Sequence, residues 1–187
     1  MGDRELIIEL SSYAEIVLAP RAADEAHPAF SKLFVVTEYD ASIGAILATR
    51  RRRSPAEAEV WAAHIAVVEG ECVGSGGFET DRARFIGRGR QLRSPLATSG
   101  GPVQMGTTGT VLDPIFSLTR CVRLAPGSTA RVAFWTLVAT LVGTVRTFRP
   151  ATQEMIERRL AELVPSIEAA FGATARLSRP SGSGDDG

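Results

Sequence analysis

The sequence predicts a mainly β protein, an antiparallel β-sandwich followed by one C-terminal amphipathic α-helix. Between residues 4 and 138, short β-branched and aromatic runs alternate with turn residues at intervals of roughly ten residues. Over residues 150–171 the hydrophobic period changes from about 2 to about 3.6, which is typical of a helix. With 187 residues, 44% of them hydrophobic, the chain is large enough to bury a packed core.

The first half of the chain is expected to contribute five strands. We place them at residues 6–10, 14–18, 33–39, 45–50 and 60–68. Pro20 and Pro28 predict that the intervening residues 19–32 form a loop. Turn residues at 40–44 are expected to join the third strand to the fourth.

The second half is expected to hold a long loop and then two more strands. Residues 70–110 are rich in glycine and are predicted to be mostly loop. Strands follow at 115–124 and 129–138, and Pro126-Gly127 suits the centre of a type II turn, so we predict a β-hairpin there. The expected bulky core residues are Phe34, Trp61, Phe116, Phe134 and Trp135, with Trp135 on the opposite face from Phe134.

The C-terminal helix should follow a strand at residues 143–148. Pro150 suits its first turn and Gly172 its end. Its apolar stripe consists of Ile156, Leu160, Leu163, Val164, Ile167 and Phe171. A last strand is expected at 174–177, followed by a polar tail that should not pack.

The charge balance excludes a general attraction to polyanions. The chain has 21 basic and 21 acidic residues, so no net field draws nucleic acid or an anionic membrane. The arginine run at residues 50–53 lacks interleaved aromatics and is expected to be a solvated strand end. No apolar stretch is long enough to span a bilayer, and the charged N-terminus lacks a signal peptide, so we expect a cytoplasmic protein.

The cysteines and histidines predict no metal site. Cys72 and Cys121 lack CxxC spacing and are expected to be buried, reduced thiols. His27 and His64 are too few for a two-zinc centre. Gly87-Arg88-Gly89 lacks the strand and helix context of a dinucleotide site, so no cofactor is expected.

One charged segment, residues 79–93, is the candidate binding site. Arginine side chains can donate paired hydrogen bonds to phosphate or sugar oxygens, and two carboxylates spaced two apart on a strand share one face. The same pattern also suits ordinary surface ion pairs, and both interpretations stay open. Trp61 or Trp135 can stack on a sugar or pack in the core. The candidate carbohydrate-binding residues are Glu79, Asp81, Arg82, Arg84, Arg88 and Arg90.

Four strings within residues 5–139 carry a family resemblance. They are SYAEIVLAP (12–20), HPAFSKLFVVTEY (27–39), ETDRARFIGRGRQLRSP (79–95) and TVLDPIFSLTRCVRLAPGSTARVAFWTLVA (110–139). Together they resemble the carbohydrate phosphorylases of glycoside hydrolase family 94, in particular the phosphorylase-like region of cyclic β-1,2-glucan synthases. The resemblance implies a partial, galactose-mutarotase-like supersandwich whose first strands would precede Met1.

The resemblance also sets the functional expectation. In that family the catalytic acid and most of the phosphate site belong to a separate helical barrel, so no residue here is assigned a catalytic role. The parent activity would be glucosyl transfer or phosphorolysis of β-glucans. We expect no turnover from this chain alone and at most weak binding of a β-glucan oligosaccharide through residues 79–93.

A second resemblance covers the C-terminal part of the chain. GTVRTFRP (143–150) and MIERRLAELVPSIEAAFGATARL (155–177) resemble the lid, or dimerisation, domain of amidohydrolase-type zinc metallopeptidases. The expected organisation is therefore a partial sandwich domain at 1–140, a strand, helix and strand segment at 141–178, and a disordered tail at 179–187, a chimera of two fragments.

Two other functions remain as alternatives. Exposed sheet edges or the unpaired helix face would favour a self-associating interaction module, with a homo-oligomer as the product. The chain would otherwise be a remnant of an N-acyl amino acid amidohydrolase lid, although the zinc ligands of those enzymes are absent.

Overall fold

The structure, a computed structural model, describes residues 4–100 and 106–141. Its elements are β1 (Leu6–Ser11), β2 (Ala14–Glu15), α1 (Arg21–Ala26), α2 (Pro28–Lys32), β3 (Val35–Asp40), β4 (Ala45–Arg50), β5 (Glu59–Glu69), β6 (Glu71–Cys72), β7 (Gly77–Asp81), α3 (Arg82–Ile86), a 3-10 turn (Leu96–Thr98), β8 (Pro114–Leu124) and β9 (Arg131–Leu141). The strands form two antiparallel sheets. The predicted mainly β sandwich is confirmed, and the predicted C-terminal helix lies outside the described residues.

The first sheet is built around β8. Strands β1 and β2 pair with one edge of β8, and β6 and β7 pair with the other edge. Two short strands in succession therefore lie along each side of β8. Ser12 lies in the break between β1 and β2. Its backbone N–H donates to the Leu118 carbonyl at 2.9 Å, and its hydroxyl accepts from the Leu118 N–H at 2.9 Å. The chain between β1 and β2 therefore remains hydrogen-bonded to β8.

The second sheet has the order β3, β4, β5, β9. Strands β5 and β9 pair along their whole lengths, from Glu59 opposite Leu141 to Glu69 opposite Arg131. The predicted turn between β3 and β4 is present, where Asp40 accepts the Ser42 N–H at 2.9 Å. The observed β4 has the predicted bounds.

The core lies between the two sheets. Its buried residues are Ile16, Val35, Ile46, Ala48, Ala62, Ala66, Phe78, Phe116 and Leu118, with Phe134 packed against them. A second cluster on the other face of the second sheet contains Ala45, Ala63, Ile65 and Val67, with Trp135 beside them. The predicted opposite orientation of Phe134 and Trp135 is confirmed. Phe34 and Trp61 are half-buried and belong to neither cluster.

The predicted hairpin at residues 125–128 is wrong, although the turn itself exists. Ser128 N–H donates to the Ala125 carbonyl at 3.0 Å, and Gly127 has a φ of +72° as a type II turn requires. However, β8 and β9 belong to different sheets, so the turn carries the chain across the sandwich. Both edges of β8 are occupied by other strands, and the local turn sequence holds no information about that.

The loop predicted at residues 19–32 is also wrong, since α1 and α2 lie there. Pro28 occupies the first turn of α2, a position where its missing N–H costs no hydrogen bond. These helices are too short to show a helical period in the sequence. The glycine-rich stretch at 70–110 contains the short elements β6, β7 and α3, and most of its described residues are loop, as predicted.

Cys72 and Cys121 form no disulfide and are reduced thiols, as predicted, but they are half-buried and not fully buried. Burial raises the pKa of the Cys121 thiol. Within the described ranges no three His, Cys, Asp or Glu side chains group as a metal site would need. No helix among those residues is long and apolar enough to cross a membrane.

Candidate functional site

Glu79 is buried, and its carboxylate accepts hydrogen bonds from backbone amides. Only 8% of the residue is exposed, and its Oε1 accepts backbone N–H groups from Thr80 at 2.9 Å, Asp81 at 2.9 Å and Thr107 at 3.1 Å. One carboxylate oxygen thus ties the end of β7 to a segment that is distant in sequence. The predicted sugar-binding carboxylate is occupied by the protein's own amides through that oxygen.

Asp81 is separated from Glu79 by an irregularity in β7. Glu79 pairs with Ser117 but Asp81 pairs with Pro114, so the register shifts between them and the simple alternation of faces does not hold. The Asp81 carboxylate caps α3 by accepting the Ala83 N–H at 2.9 Å. The structure therefore uses both carboxylates to shape the chain.

Thr80, between these two acids, closes one rim of the sandwich. Its hydroxyl lies 2.7 Å from the Thr37 hydroxyl of β3 and donates to the Thr107 carbonyl at 2.7 Å. Thr37 and Gly109 exchange backbone hydrogen bonds at 2.9 and 2.7 Å. We call this arrangement of Thr37, Glu79, Thr80, Thr107 and Gly109 the closed rim.

Arg82 joins a charge network on the surface. Its Nε donates to the Tyr13 hydroxyl at 3.0 Å and to Glu15 at 3.2 Å. Lys32 Nζ lies 3.6 Å from Glu15 and 3.0 Å from Asp113. The positive charges of Arg82 and Lys32 are thus balanced by the negative charges of the Glu15 and Asp113 carboxylates.

The pKa values in this network shift as its contacts require. The hydrogen bond from Tyr13 lowers the pKa of the Glu15 carboxyl, and the hydrogen bond to Asp113 raises the pKa of the Lys32 ammonium. Burial raises the pKa of the Tyr13 phenol. Tyr13, Glu15 and Lys32 therefore keep their ordinary charges near neutral pH.

The remaining arginines lie on α3 and the loop after it, which we call the arginine platform (residues 84–99). Arg84 donates to the Thr107 hydroxyl at 2.7 Å, and Arg90 donates to the Ser99 hydroxyl. Arg88 is exposed. Gly87 has a φ of +85°, and a Cβ there would lie 2.8 Å from Leu96 Cβ, so the two ends of the platform pack closely.

Charge is strongly one-sided on the platform. From Arg82 to Leu112 the sequence contains five arginines and no acidic residue. Among the residues that the structure describes, no salt bridge joins Arg84, Arg88 or Arg90 to a carboxylate. The platform can therefore offer guanidinium donors to oxygen atoms of a ligand.

The six predicted site residues consequently fall into three groups. Glu79 and Asp81 hold backbone amides, Arg82 belongs to the charge network, and the three other arginines form an exposed donor surface. The sequence could not reveal the role of Glu79 because the Thr107 amide that it binds lies far along the chain, whereas Asp81 caps α3 through the nearby Ala83 amide.

His64 links both sheets, a role that no pattern in the sequence indicates. It is 3% exposed and stacks between Phe116 and Phe134, at 5.3 and 6.1 Å between ring centroids. Its Nε2 lies 2.8 Å from the Ser12 hydroxyl, and its Nδ1 lies 2.8 Å from the Thr136 hydroxyl. Burial lowers its pKa to about 4, so the ring is neutral and structural near pH 7.

Comparison with known families accounts for this architecture. The model of the glycosyl hydrolase 94 supersandwich domain matches residues 1–158. The chain belongs to this domain family. One relative is the cyclic beta-(1,2)-glucan synthase NdvB of Rhizobium meliloti (strain 1021), which is 41% identical over 138 residues. The alignment covers 74% of this chain but 5% of that relative, so the chain spans a small part of the longer protein.

The family match bears on the second resemblance as well. It extends past residue 139 into the segment that resembles a metallopeptidase lid. The lid resemblance, the boundary at residue 140 and the chimeric origin remain predictions, and the segment lies outside the described residues.

Proposed function

We propose that this supersandwich domain is a non-catalytic part of a glucan-active protein and that it binds β-glucan chains weakly through the arginine platform. The exposed donors of Arg84, Arg88 and Arg90, which no carboxylate of the described residues pairs in a salt bridge, carry the proposal. The name of the relative, a cyclic beta-(1,2)-glucan synthase, supplies the substrate class. A cytoplasmic location belongs to the same proposal, and cell fractionation tests it.

The platform suits a neutral sugar chain because guanidinium groups donate hydrogen bonds in fixed directions to hydroxyl and ring oxygens. Glu79 and Asp81 support the surface from beneath by holding the backbone of β7 and α3. Because exposed polar contacts compete with water, binding should be weak, with a Kd of about 1 mM.

Catalysis is assigned to the rest of the longer protein. Glycosyl transfer by inversion needs a protonated carboxyl beside the leaving oxygen and an open site around it. Glu79 is buried against three backbone amides, and Asp81 caps a helix. In this proposal inorganic phosphate is a cosubstrate of the longer protein, and no organic cofactor takes part.

Titration calorimetry with β-1,2-gluco-oligosaccharides tests the binding proposal. The unchanged chain should give saturable heat, and the combined Arg84→Ala, Arg88→Ala and Arg90→Ala variant should lose at least about tenfold in affinity, or 1.4 kcal/mol. An Arg21→Ala and Arg53→Ala variant is the matched control, because both arginines are exposed and distant in sequence. No heat from a chain that unfolds cooperatively would refute the proposal.

Self-association is the second candidate function. Its support is a cluster of exposed apolar residues on β1, namely Leu6, Ile7, Ile8 and Leu10. Exposed apolar edge strands promote pairing with another chain. Light scattering coupled to size-exclusion chromatography tests it, and a monomer at every concentration would exclude it.

A further inference from the structure

Strand β1 has an unprotected edge. Within the described residues it pairs only with β8, so its other side carries backbone groups without a strand partner. Leu6 is 52% exposed, Ile7 58%, Ile8 37% and Leu10 38%. Proteins usually protect such an edge with proline, a bulge or a row of charges, and β1 has apolar side chains at four of its six positions.

The exposed residues occupy both faces of the strand. Leu6, Ile8 and Leu10 pair with Leu124, Val122 and Arg120 of β8. Val122 and Arg120 are buried, so this face of β1 turns toward the space between the sheets. Its three apolar residues nevertheless remain more than a third exposed, because the described strands of the second sheet do not cover them.

The backbone pattern shows which groups the free edge offers. The Ser12 N–H donates to the Leu118 carbonyl, so residues 12 and 118 form a hydrogen-bonded pair. Because such pairs alternate along antiparallel strands, Leu6, Ile8 and Leu10 direct their N–H and C=O groups toward β8. Ile7 and Glu9 therefore direct theirs toward the free edge.

We propose that β1 pairs with β1 of a second copy of this chain, antiparallel, about a two-fold axis at Ile8. This inference deepens the self-association candidate and is independent of glucan binding. Residues opposite each other in an antiparallel pair share a face, so a symmetric pair must be centred on a residue and not between two. Each residue of β1 through which the two-fold axis can pass, called a centre below, therefore defines one register, and only a few such registers exist.

Side-chain complementarity selects Ile8 among those centres. A centre at Ile7 places Glu5 opposite the second copy's Glu9, and a centre at Glu9 places two glutamates opposite each other. Centres at Leu6 or Leu10 shorten the overlap and place Ile8 opposite Arg4 or Ser12 of the second copy. The centre at Ile8 opposes Leu6 to Leu10 and Ile8 to itself, with no like charges opposed.

In this register the backbone groups at the free edge of β1 form hydrogen bonds with those of the second copy. Ile7 and Glu9 form hydrogen-bonded pairs across the axis, as do Glu5 and Ser11, which gives about eight backbone hydrogen bonds. Ile8 and its symmetry mate form a pair without backbone hydrogen bonds, in which the Cα atoms approach to about 4.5 Å. That separation lies within the range that a disulfide spans.

Cysteine cross-linking tests the register directly. In a Cys72→Ser and Cys121→Ser background, Ile8→Cys should form a disulfide-linked dimer in high yield on mild oxidation. Ile7→Cys should form little, because in this register its mate lies on a diagonal at about 7–8 Å. Leu6→Cys mixed with Leu10→Cys should give a mixed dimer. Leu112→Cys, at a residue 77% exposed outside the strand, measures random collision.

Light scattering provides the independent readout. At concentrations on the order of 100 µM, where an interface with a Kd of that size is about half occupied, the unchanged chain should show a dimer. Ile8→Lys should be monomeric and Leu112→Lys should dimerise like the unchanged chain. A monomer throughout, or equal cross-linking of Ile7→Cys and Ile8→Cys, would overturn the proposal, whereas lost glucan binding alone would leave it intact.

Discussion

The two rims of this sandwich are built in opposite ways. At the closed rim, β3 lies over β7, and buried hydroxyl and carboxylate groups bond to each other and to the backbone across the gap. At the open rim, formed by β1 and β9, His64 joins Ser12 to Thr136, but the apolar residues of β1 stay exposed. Buried polar bonding fixes the first rim, whereas the second retains surface able to take a partner.

Their energetics should differ correspondingly. Removing one member of a buried polar network leaves its partners without hydrogen bonds in a water-poor site. Shortening a side chain that is already exposed removes little buried area. Mutations of the buried polar groups at the closed rim should therefore destabilise the folded chain far more than shortening the exposed side chains of β1 at the open rim.

The largest effect is expected at Gly106, the residue before Thr107 of the closed rim. A Cβ at this position would collide with the Phe78 carbonyl, and backbone cannot yield as a flexible side chain can. Gly106→Ala should lower the free energy of unfolding by roughly 4 kcal/mol or prevent folding. Gly109→Ala is the matched control: its φ is +97° but open space surrounds it, so about 1 kcal/mol is expected. Denaturant unfolding measures the unfolding free energy of both variants. Equal losses would contradict the close approach of Gly106 to the Phe78 carbonyl.

A somewhat smaller effect is expected from Glu79→Ala. Three backbone N–H groups would lose their shared acceptor, at a cost of about 3 kcal/mol in unfolding free energy. Glu79→Gln keeps a carbonyl oxygen and should cost about 1 kcal/mol. If instead Glu79→Ala left stability unchanged and abolished glucan binding, Glu79 would be a ligand-binding residue and not a structural residue that holds the backbone.

Acid should weaken the link at His64. The folded-state pKa of about 4 lies below the ordinary 6.5, so the unfolded chain binds the proton more readily. This contribution is fully present above pH about 6.5 and is lost as the pH falls toward about 4, by up to about 3 kcal/mol. Unfolding free energies across that range should fall with the corresponding slope.

The control variants for this titration are His64→Phe and His27→Gln. His64→Phe removes the titrating ring and should flatten this part of the pH dependence, although the Ser12 and Thr136 hydroxyls lose a partner. His27→Gln retains the His64 titration and should keep the slope. A steep slope that survives in His64→Phe would assign the acid sensitivity to other groups.

The smallest effect is expected at the open rim. Ile7 is 58% exposed, so Ile7→Thr should change the unfolding free energy of the monomer by about 0.5 kcal/mol or less. A loss comparable to that of Glu79→Ala would mean that β1 is covered in the monomer. Thermal unfolding in dilute solution makes the comparison without a contribution from dimers.

Prediction from the sequence succeeded where a strand's pattern is local and failed where a partner is distant. Apolar runs between turn residues located β4 at its observed bounds and β5 within one residue of its observed bounds at each end. It could not show that β8 and β9 separate into different sheets, because the turn at Pro126-Gly127 has the same local conformation in a hairpin or a crossover.

The candidate site divides in the same way. Arg84 and Arg88 of the arginine-rich residues 82–93 are exposed, and their role in binding stays a prediction. The structural role of Glu79 depends on the Thr107 amide, and that of His64 depends on Ser12 and Thr136. Such contacts arise from the packing of the two sheets and leave no periodic signal in the sequence.

Native-state hydrogen exchange tests the contrast between the rims most directly. In dilute solution the amides of Thr37, Thr80 and Gly109 should exchange only through global unfolding, while those of Ile7 and Glu9 at the free edge should exchange many times faster. Raising the concentration should protect Ile7 and Glu9, together with Glu5 and Ser11, if the dimer forms, and should leave the exchange of Thr37, Thr80 and Gly109 unchanged. Equal protection of both rims in dilute solution would contradict this account.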